Sequence, residues 1–203
     1  MLKSDTKNKT LDYYNQNVTT FIADTISVDL KDTQNKFINA LPGDKILDLG
    51  CGSGRDTKYF LEIGLKVTAV DGSEELCKRA SDYLGIPVYH MLFQELDLED
   101  EYNGIWACSS ILHLPKDELR TVFYKMVTAL KSSGVIYTSF KYGEFEGERN
   151  GRYFTDFTIE LFNEFIKNIP DLKIEEQWIT EDVRPGRRDE KWLNLLLRKM
   201  DTV

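Results

Sequence analysis

Strand and helix patterns alternate along this chain, and the alternation constrains its fold more than any other feature. Strands are predicted at 45–49, 66–70, 87–91, 104–108 and 135–140. Two more, at 172–179 and 192–198, are joined directly by a charged loop. Alternation implies a parallel sheet covered by helices on both faces, whereas adjacent strands joined by a short turn run antiparallel. The sequence therefore predicts a doubly wound α/β sheet with a reversed terminal strand.

Composition and charge limit the partners of such a chain. The 203 residues are 41% hydrophobic and carry a net charge of −8, which disfavours nucleic acids and anionic membranes. The first ten residues are polar and no apolar run is long enough to span a membrane, so neither a signal peptide nor an anchor is expected. Three cysteines without metal-ligand spacing fit a reducing cytoplasm without a metal site. We expect one domain over 1–203, a monomer or homodimer, with leading helices at 1–40 covering a core at 41–203.

A glycine-rich turn follows the first predicted strand. Gly50, Gly52 and Gly54 alternate with Cys51 and Ser53, so the backbone can turn tightly and approach a ligand where no Cβ intervenes. The helix that begins after them offers free N–H groups. Asp71 lies 21 residues past Gly50, at the end of the second strand, where a carboxylate can accept hydrogen bonds from ribose hydroxyls. These residues predict a nucleoside-bearing ligand.

The residues around this turn favour one nucleoside over another. A dinucleotide fingerprint requires Gly or Ala at position 55 or 57, and the chain has Arg55 and Thr57. Asp48, two residues before the first glycine, suits a ligand with an ammonium group whose charge it can balance. S-adenosylmethionine has such a group together with a ribose, an adenine and a carboxylate.

Three segments also resemble motifs of a known family, the class I S-adenosylmethionine-dependent methyltransferases. The segment 46–55, ILDLGCGSGR, resembles motif I, 67–73 resembles motif II and 102–109 resembles the fourth-strand motif. Within that family the chain looks most like small bacterial enzymes of the tellurite-resistance and thiopurine-methylating kind. The resemblance implies a Rossmann-like seven-stranded sheet in the order 3-2-1-4-5-7-6, with the last strand antiparallel.

The resemblance also implies a set of cofactor-binding residues. Asp48 and the glycines would lie at the methionyl part, Asp71 at the ribose, and Tyr14 and Arg55 at the carboxylate. The full set is Tyr14, Asp48, Gly50, Cys51, Gly52, Gly54, Arg55, Asp71, Gly72, Ser73, Phe93, Gln94, Cys108 and Ser109.

Methyl transfer requires no dedicated catalytic residue unless the acceptor must lose a proton of high pKa. The acceptor pocket is expected between the leading helices, the segment after the fourth strand, and a polar loop at 141–157. The candidate polar residues there are Tyr13, His113, Tyr142, Arg152 and Tyr153. For His113 a structural role is favoured over a catalytic one.

The surrounding sequence predicts the environment of two tryptophans and of a cluster of three arginines. Trp106 and Trp192 fall in predicted strands and are expected in the core. Arg184, Arg187 and Arg188 precede the last strand, where a solvated loop is favoured over a clamp for an anionic substrate.

Together these features predict a methyltransferase that moves a methyl group from S-adenosylmethionine to a small-molecule acceptor. Two alternatives stay open at this point. One is a module that binds a nucleoside cofactor without turnover, and the other is a nicotinamide-dependent oxidoreductase on a related sheet. A nucleic acid is the less favoured acceptor because the chain is acidic.

Overall fold

The computed structural model describes residues 2–184, 186–187 and 189–200, with side chains from residue 9 onward. Helices in these ranges are α1 (Leu2–Gln16), α2 (Val18–Thr25), α3 (Lys31–Ala40), α4 (Arg55–Glu62), α5 (Glu74–Leu84), α6 (Lys116–Ala129) and α7 (Ile159–Ile166). Strands are β1 (Lys45–Leu49), β2 (Lys66–Asp71), β3 (Val88–His90), β4 (Tyr102–Ala107), β5 (Leu130–Lys141), β6 (Glu146–Arg149), β7 (Arg152–Thr155), β8 (Leu172–Glu181) and β9 (Lys191–Lys199).

The main sheet has seven strands in the order β3-β2-β1-β4-β5-β9-β8. The first five strands are parallel, whereas β9 runs antiparallel to both β5 and β8. With β6 and β7 set aside, this is the predicted 3-2-1-4-5-7-6 order with its reversed strand. The Rossmann-like fold class is confirmed.

The prediction of a polar loop at 141–157 was wrong, because this segment contains the β6–β7 hairpin. Glu146 pairs with Thr155 at the open end, and Arg149 pairs with Arg152 beside the turn. The two turn residues, Asn150 and Gly151, have φ of +53° and +77°. Asn-Gly favours such a two-residue hairpin turn because both residues tolerate positive φ. The sequence signal was present, but the charged residues around it masked the strand pattern.

Helices cover both faces of the sheet, and successive residues of a central strand point to opposite faces. On β4, Ile105 packs in a cluster with Leu119 of α6 and Phe162 of α7. The next residue, Trp106, packs on the other face with Phe37 of α3. Trp106 is fully buried, so its predicted core position is confirmed.

Within the described ranges, every helix is too short or too polar to cross a membrane.

Candidate active site

A loop built from three glycines joins β1 to α4. Gly50, Gly52 and Gly54 have φ of +87°, +56° and +80°, values that side-chain-bearing residues rarely adopt. The N–H groups of Gly50 and Cys51 both donate to the Val70 carbonyl of β2 at 2.9 Å. The loop is thereby fixed to the end of the neighbouring strand.

Asp71, the last residue of β2, is buried beside this loop and lines a cavity. Its Oδ2 accepts the Gly52 N–H at 2.9 Å and its Oδ1 accepts the Ser73 N–H at 2.8 Å. Burial raises the pKa of the Asp71 carboxyl, while these two N–H groups act in the opposite direction. Each carboxylate oxygen retains acceptor capacity. Asp71 is therefore fixed in place and still able to accept hydrogen bonds from a pair of hydroxyls.

Asp48 lies behind the glycine loop and does not line the cavity. It is 2% exposed, and Thr57 of α4 donates to its Oδ2 at 2.5 Å. Burial, together with the charge of Asp56, raises the pKa of Asp48 to about 8. Asp48 is thus mostly a neutral carboxylic acid at neutral pH, and its visible role is to connect β1 to α4.

Arg55, the first residue of α4, lines the cavity but has a carboxylate of its own. Its Nε and Nη2 donate to the two oxygens of Asp56 at 2.8 and 2.7 Å. Asp56 also accepts from Gln34 of α3 at 2.7 Å and from the Trp106 indole at 2.9 Å. The charge of Arg55 is therefore already neutralised by the protein.

His113 connects α1, the segment after β4 and the hairpin. Its Nδ1 lies 2.6 Å from the Tyr153 carbonyl, which only accepts, so Nδ1 carries the proton. Its Nε2 is then an acceptor for the Tyr14 hydroxyl at 2.7 Å. Burial lowers the pKa of His113 to about 4, so the ring is neutral at neutral pH. These bonds give His113 a structural role, and its ring also faces the cavity.

The cavity has a volume of about 710 Å³ and lies where β1, β2, β4 and β5 end. Its walls include residues of α1 and α2 and the segment 28–33, so the leading helices border it. The proposed site residues that line it are Tyr14, Gly50, Cys51, Gly52, Arg55, Asp71, Gly72, Phe93, Gln94, Cys108, Ser109, His113, Arg152 and Tyr153.

Besides Asp48, four proposed residues lie outside the cavity wall. The Ser73 hydroxyl caps α5 by accepting the Leu76 N–H at 3.2 Å. Gly54 packs against α5. The Tyr13 ring lies beneath the Arg152 guanidinium, whose central carbon is 4.3 Å from the ring centroid. Tyr142 follows the last residue of β5, forms an isolated bridge with Phe157 and is exposed.

Several wall residues were not predicted from the sequence. Ser139 of β5 and Asn194 of β9 are buried polar residues that pair across the sheet and line the cavity. A polar residue inside an otherwise apolar strand was the available signal. Ser109, with φ of +52°, donates its N–H to the Ser139 hydroxyl at 2.9 Å. Phe21 of α2 had no signal, because only the fold brings it to Gly52.

The last charged loop also reaches the cavity. Arg184 and Arg187 line it, and Arg184 donates to both oxygens of the Asp182 carboxylate. Arg188 lies outside the described residues. Trp192, predicted as core, is only partly buried and forms part of the wall.

The cavity is not accompanied by a metal centre: in the described part of the chain, no three His, Cys, Asp or Glu side chains are grouped to hold an ion.

Comparisons with known proteins agree with this geometry. A family model described as a methyltransferase domain matches residues 46–134. A ubiquinone biosynthesis O-methyltransferase of Xanthomonas campestris pv. campestris is 31% identical over 106 residues, which are 49% of this chain and 44% of that protein. The match thus covers less than half the length of this relative.

Solved structures share the fold at low sequence identity. Burkholderia thailandensis 1,6-didemethyltoxoflavin-N1-methyltransferase, with its namesake compound and S-adenosylhomocysteine bound, aligns with a TM-score of 0.72 at 23% identity, covering 98% of this chain and 88% of that one. The N-methyltransferase NodS of Bradyrhizobium japonicum, in complex with S-adenosylhomocysteine, aligns at 0.70 and 14% identity, covering 92% and 98%. The [4+2]-cyclase SpnF aligns at 0.72 and 12% identity, covering 95% and 97%.

The sheet order and the glycine loop are those of a Rossmann-like α/β fold. Residues 46–134 match a methyltransferase domain, as motifs I and II indicated. The finer likeness to tellurite-resistance and thiopurine-methylating enzymes stays a prediction.

Proposed function

We propose that the protein is an enzyme that transfers a methyl group from S-adenosylmethionine to a small-molecule acceptor. The observation that carries this proposal is the position of Asp71. Its carboxylate is oriented by the N–H groups of Gly52 and Ser73 and faces a large cavity beside the glycine loop. The match of a methyltransferase-domain model to residues 46–134 supports the same conclusion.

The residues present fit this cofactor by their chemistry. Asp71 supplies acceptors for a ribose diol, and Phe93 with Gln94 supplies a ring face and an amide for the adenine. Cys108 and Ser109 follow β4 on the wall where the sulfur is expected.

The cofactor would supply a methyl group already activated by a positively charged sulfur. The chain must therefore hold the acceptor in line with that methyl group and exclude water, which contributes roughly 7–11 kcal/mol in the best cases. His113, Arg152 and Tyr153 of the proposed catalytic set border the cavity and are the residues able to orient an acceptor. Tyr13 and Tyr142 are not, because neither reaches the wall.

The wider properties of the protein are part of the same proposal. We propose a cytoplasmic enzyme, monomeric or homodimeric, whose leading helices belong to the same domain as the core. The net charge of −8 supports a small-molecule acceptor over a nucleic acid.

Calorimetry with S-adenosylhomocysteine tests the site. We expect Asp71→Asn to weaken binding about tenfold or more, because charge-assisted hydrogen bonds to the ribose are lost. Asp44→Asn is the matched control, since Asp44 is an exposed carboxylate paired with Lys66 away from the cavity. Equal affinity in Asp71→Asn and wild type would contradict the assignment, and tight binding of NADH instead would favour the oxidoreductase.

A module that binds the nucleoside cofactor without methyl turnover is the second candidate, because SpnF shares this fold and is named for a cyclisation, not for methyl transfer. Incorporation of label from methyl-labelled S-adenosylmethionine into a metabolite extract separates the two. Incorporation that requires Asp71 supports the enzyme, whereas tight cofactor binding without incorporation across a broad extract supports the module.

A further inference from the structure

Arg152, the first residue of β7, stands out among the charged groups of the cavity. Its guanidinium lies 4.3 Å from the Tyr13 ring centroid and 5.1 Å from that of Phe154. It makes one long hydrogen bond, from Nη1 to the Tyr14 hydroxyl at 3.4 Å. Its Nε is buried and has no hydrogen-bond partner. Arg152 is thus enclosed by aromatic rings and largely unsatisfied.

Three arginines near Arg152, namely Arg55, Arg184 and Arg149, differ from it because each is neutralised by a protein carboxylate. Arg55 pairs with Asp56 in the cavity wall. Arg184 pairs with Asp182 in the last loop. Arg149, opposite Arg152 in the hairpin, pairs with Asp156 at 2.7 Å.

Arg152 has no such carboxylate. Among the side chains that the structure describes, residues 9–184, 186–187 and 189–200, none forms an ion pair with it. A partly buried guanidinium is usually paired with an anion. Its missing partner is therefore expected to come from a ligand.

We infer that Arg152 binds a carboxylate of the methyl acceptor, so that the acceptor is a small carboxylic acid. This inference rests on the proposed function and names the substrate class of the same site. The planar guanidinium of Arg152 has at least its Nε–H free, and a planar carboxylate accepts such N–H groups in a matched geometry. Neutral His113 and the Tyr14 hydroxyl form the adjacent wall and add no competing charge.

The cofactor also carries a carboxylate, so the position of Arg152 decides between the two sources. Arg152 belongs to the hairpin and contacts Tyr14 of α1, whereas the other proposed cofactor residues lie on or beside the loops after β1, β2, β3 and β4. Arg55, beside the glycine loop, is paired with Asp56, so cofactor binding by Arg152→Gln has to separate the two carboxylates. The acceptor is therefore the source that the geometry favours.

Acetate is a minimal probe for this position, because it carries the proposed group and little else. Thermal unfolding is followed with S-adenosylhomocysteine bound, while acetate replaces chloride at constant ionic strength. We expect acetate to stabilise the wild type and to bind Arg152→Gln about tenfold more weakly. Arg149→Gln is the matched control, since Arg149 lies in the same hairpin and already has Asp156. Equal stabilisation of Arg152→Gln and wild type overturns the inference.

Arg152→Lys is a second variant for the case that Arg152→Gln does not fold. It keeps the positive charge and removes only the planar guanidinium. We expect its acetate affinity to fall between those of wild type and Arg152→Gln. An acetate affinity in Arg152→Lys no better than in Arg152→Gln would overturn the role of the charge.

Cofactor binding separates the two carboxylates. We expect Arg152→Gln to bind S-adenosylhomocysteine within about twofold of wild type. A tenfold loss for this ligand, with unchanged binding of 5′-methylthioadenosine, which lacks the amino acid, assigns Arg152 to the cofactor and overturns the inference. If the wild type binds neither nucleoside, the proposed function fails, and the acetate experiment on the free protein still tests Arg152.

Turnover provides the last arm. The acceptor that gains labelled methyl from a metabolite extract is expected to carry a carboxylate, and Arg152→Gln is expected to raise its KM about tenfold with a smaller change in kcat. A neutral acceptor overturns the inference.

Discussion

At the scale of single residues, Gly52 is constrained both by its backbone conformation and by its surroundings. Its φ is +56°, its N–H orients Asp71, and a Cβ built on it would lie 3.0 Å from the Phe21 ring. The backbone conformation and the close approach of α2 are separate reasons for glycine here. The two effects can be separated by comparing Gly52 with a glycine that has a left-handed backbone but no close neighbour.

Gly52→Ala and Gly64→Ala form that comparison. Gly64 has φ of +90° and open space where a Cβ would lie. Both variants should lose about 1–2 kcal/mol of unfolding free energy from the left-handed backbone, measured by urea denaturation. Only Gly52→Ala should also weaken S-adenosylhomocysteine binding in calorimetry, because it displaces Phe21 and the loop. Unchanged binding in Gly52→Ala would show that the contact with Phe21 is not needed.

Among the charged residues, two arginines show how local pairing changes the chemistry of a side chain. Arg55 and Arg152 both line the cavity. Arg55 has a carboxylate directly beside it in sequence, Asp56, whereas Arg152 packs against the Phe154 ring of the hairpin and the Tyr13 and Tyr14 rings of α1. The same residue type is therefore a structural ion pair in one place and an unsatisfied cation in the other.

At the scale of secondary-structure elements, α1 is attached to the core by few but specific bonds. The Ser73 hydroxyl, which caps α5, donates to Asn15 of α1 at 2.6 Å. The Thr10 hydroxyl of α1 accepts the Tyr153 N–H of the hairpin at 3.0 Å. α1 thus joins the nucleoside side of the cavity to the hairpin side.

Ser73→Ala and Thr158→Ala test this attachment. Both serve as N-caps, for α5 and α7, with the same 3.2 Å bond to a backbone N–H. Loss of a cap costs about 1 kcal/mol, and Ser73→Ala should lose about 1 kcal/mol more because the bond to Asn15 is also broken. Hydrogen exchange should accelerate in α1 for Ser73→Ala alone. Acceleration to the same extent in Thr158→Ala would contradict the attachment.

At the scale of the whole molecule, buried acids make stability depend on pH. Asp48 has its pKa raised to about 8, so the folded state holds a proton that the unfolded chain releases near pH 4. The stabilisation is complete below the unfolded pKa and is lost as pH rises toward 8. His113 acts in the opposite sense, because its lowered pKa removes stability as pH falls from about 6.5 toward 4.

Asp48→Asn should flatten this dependence between about pH 7.5 and 8, where His113 is neutral in the folded state and almost entirely neutral in the unfolded state. The wild type should lose up to about 1.4 kcal/mol of unfolding free energy per pH unit through Asp48. Asp48→Asn keeps an acceptor for Thr57 and has no proton to lose. Asp44→Asn, at an exposed carboxyl whose pKa is lowered, should keep the wild-type slope in urea denaturation. Identical slopes in all three proteins would contradict the raised pKa.

Local features of the sequence are enough to predict the sheet and to propose the class of site. Apolar strand periodicity, the glycines at 50, 52 and 54 and the acid at 71 are local features. Their conformational consequences follow from sterics and from the geometry of parallel strands. Strand periodicity did not predict the β6–β7 hairpin, because its short strands are mostly polar, although the Asn-Gly turn was visible in the sequence.

Tertiary structure decided which of these side chains are free to act. Asp48 was expected at the ligand, but packing placed it behind the loop beside Thr57. Phe21 packs against Gly52, and Arg152 lines the cavity with no acidic partner among the described side chains, although adjacent residues in the sequence indicate neither arrangement. Burial and charge pairing depend on residues distant in the chain, so they are fixed only when the whole fold brings those residues together.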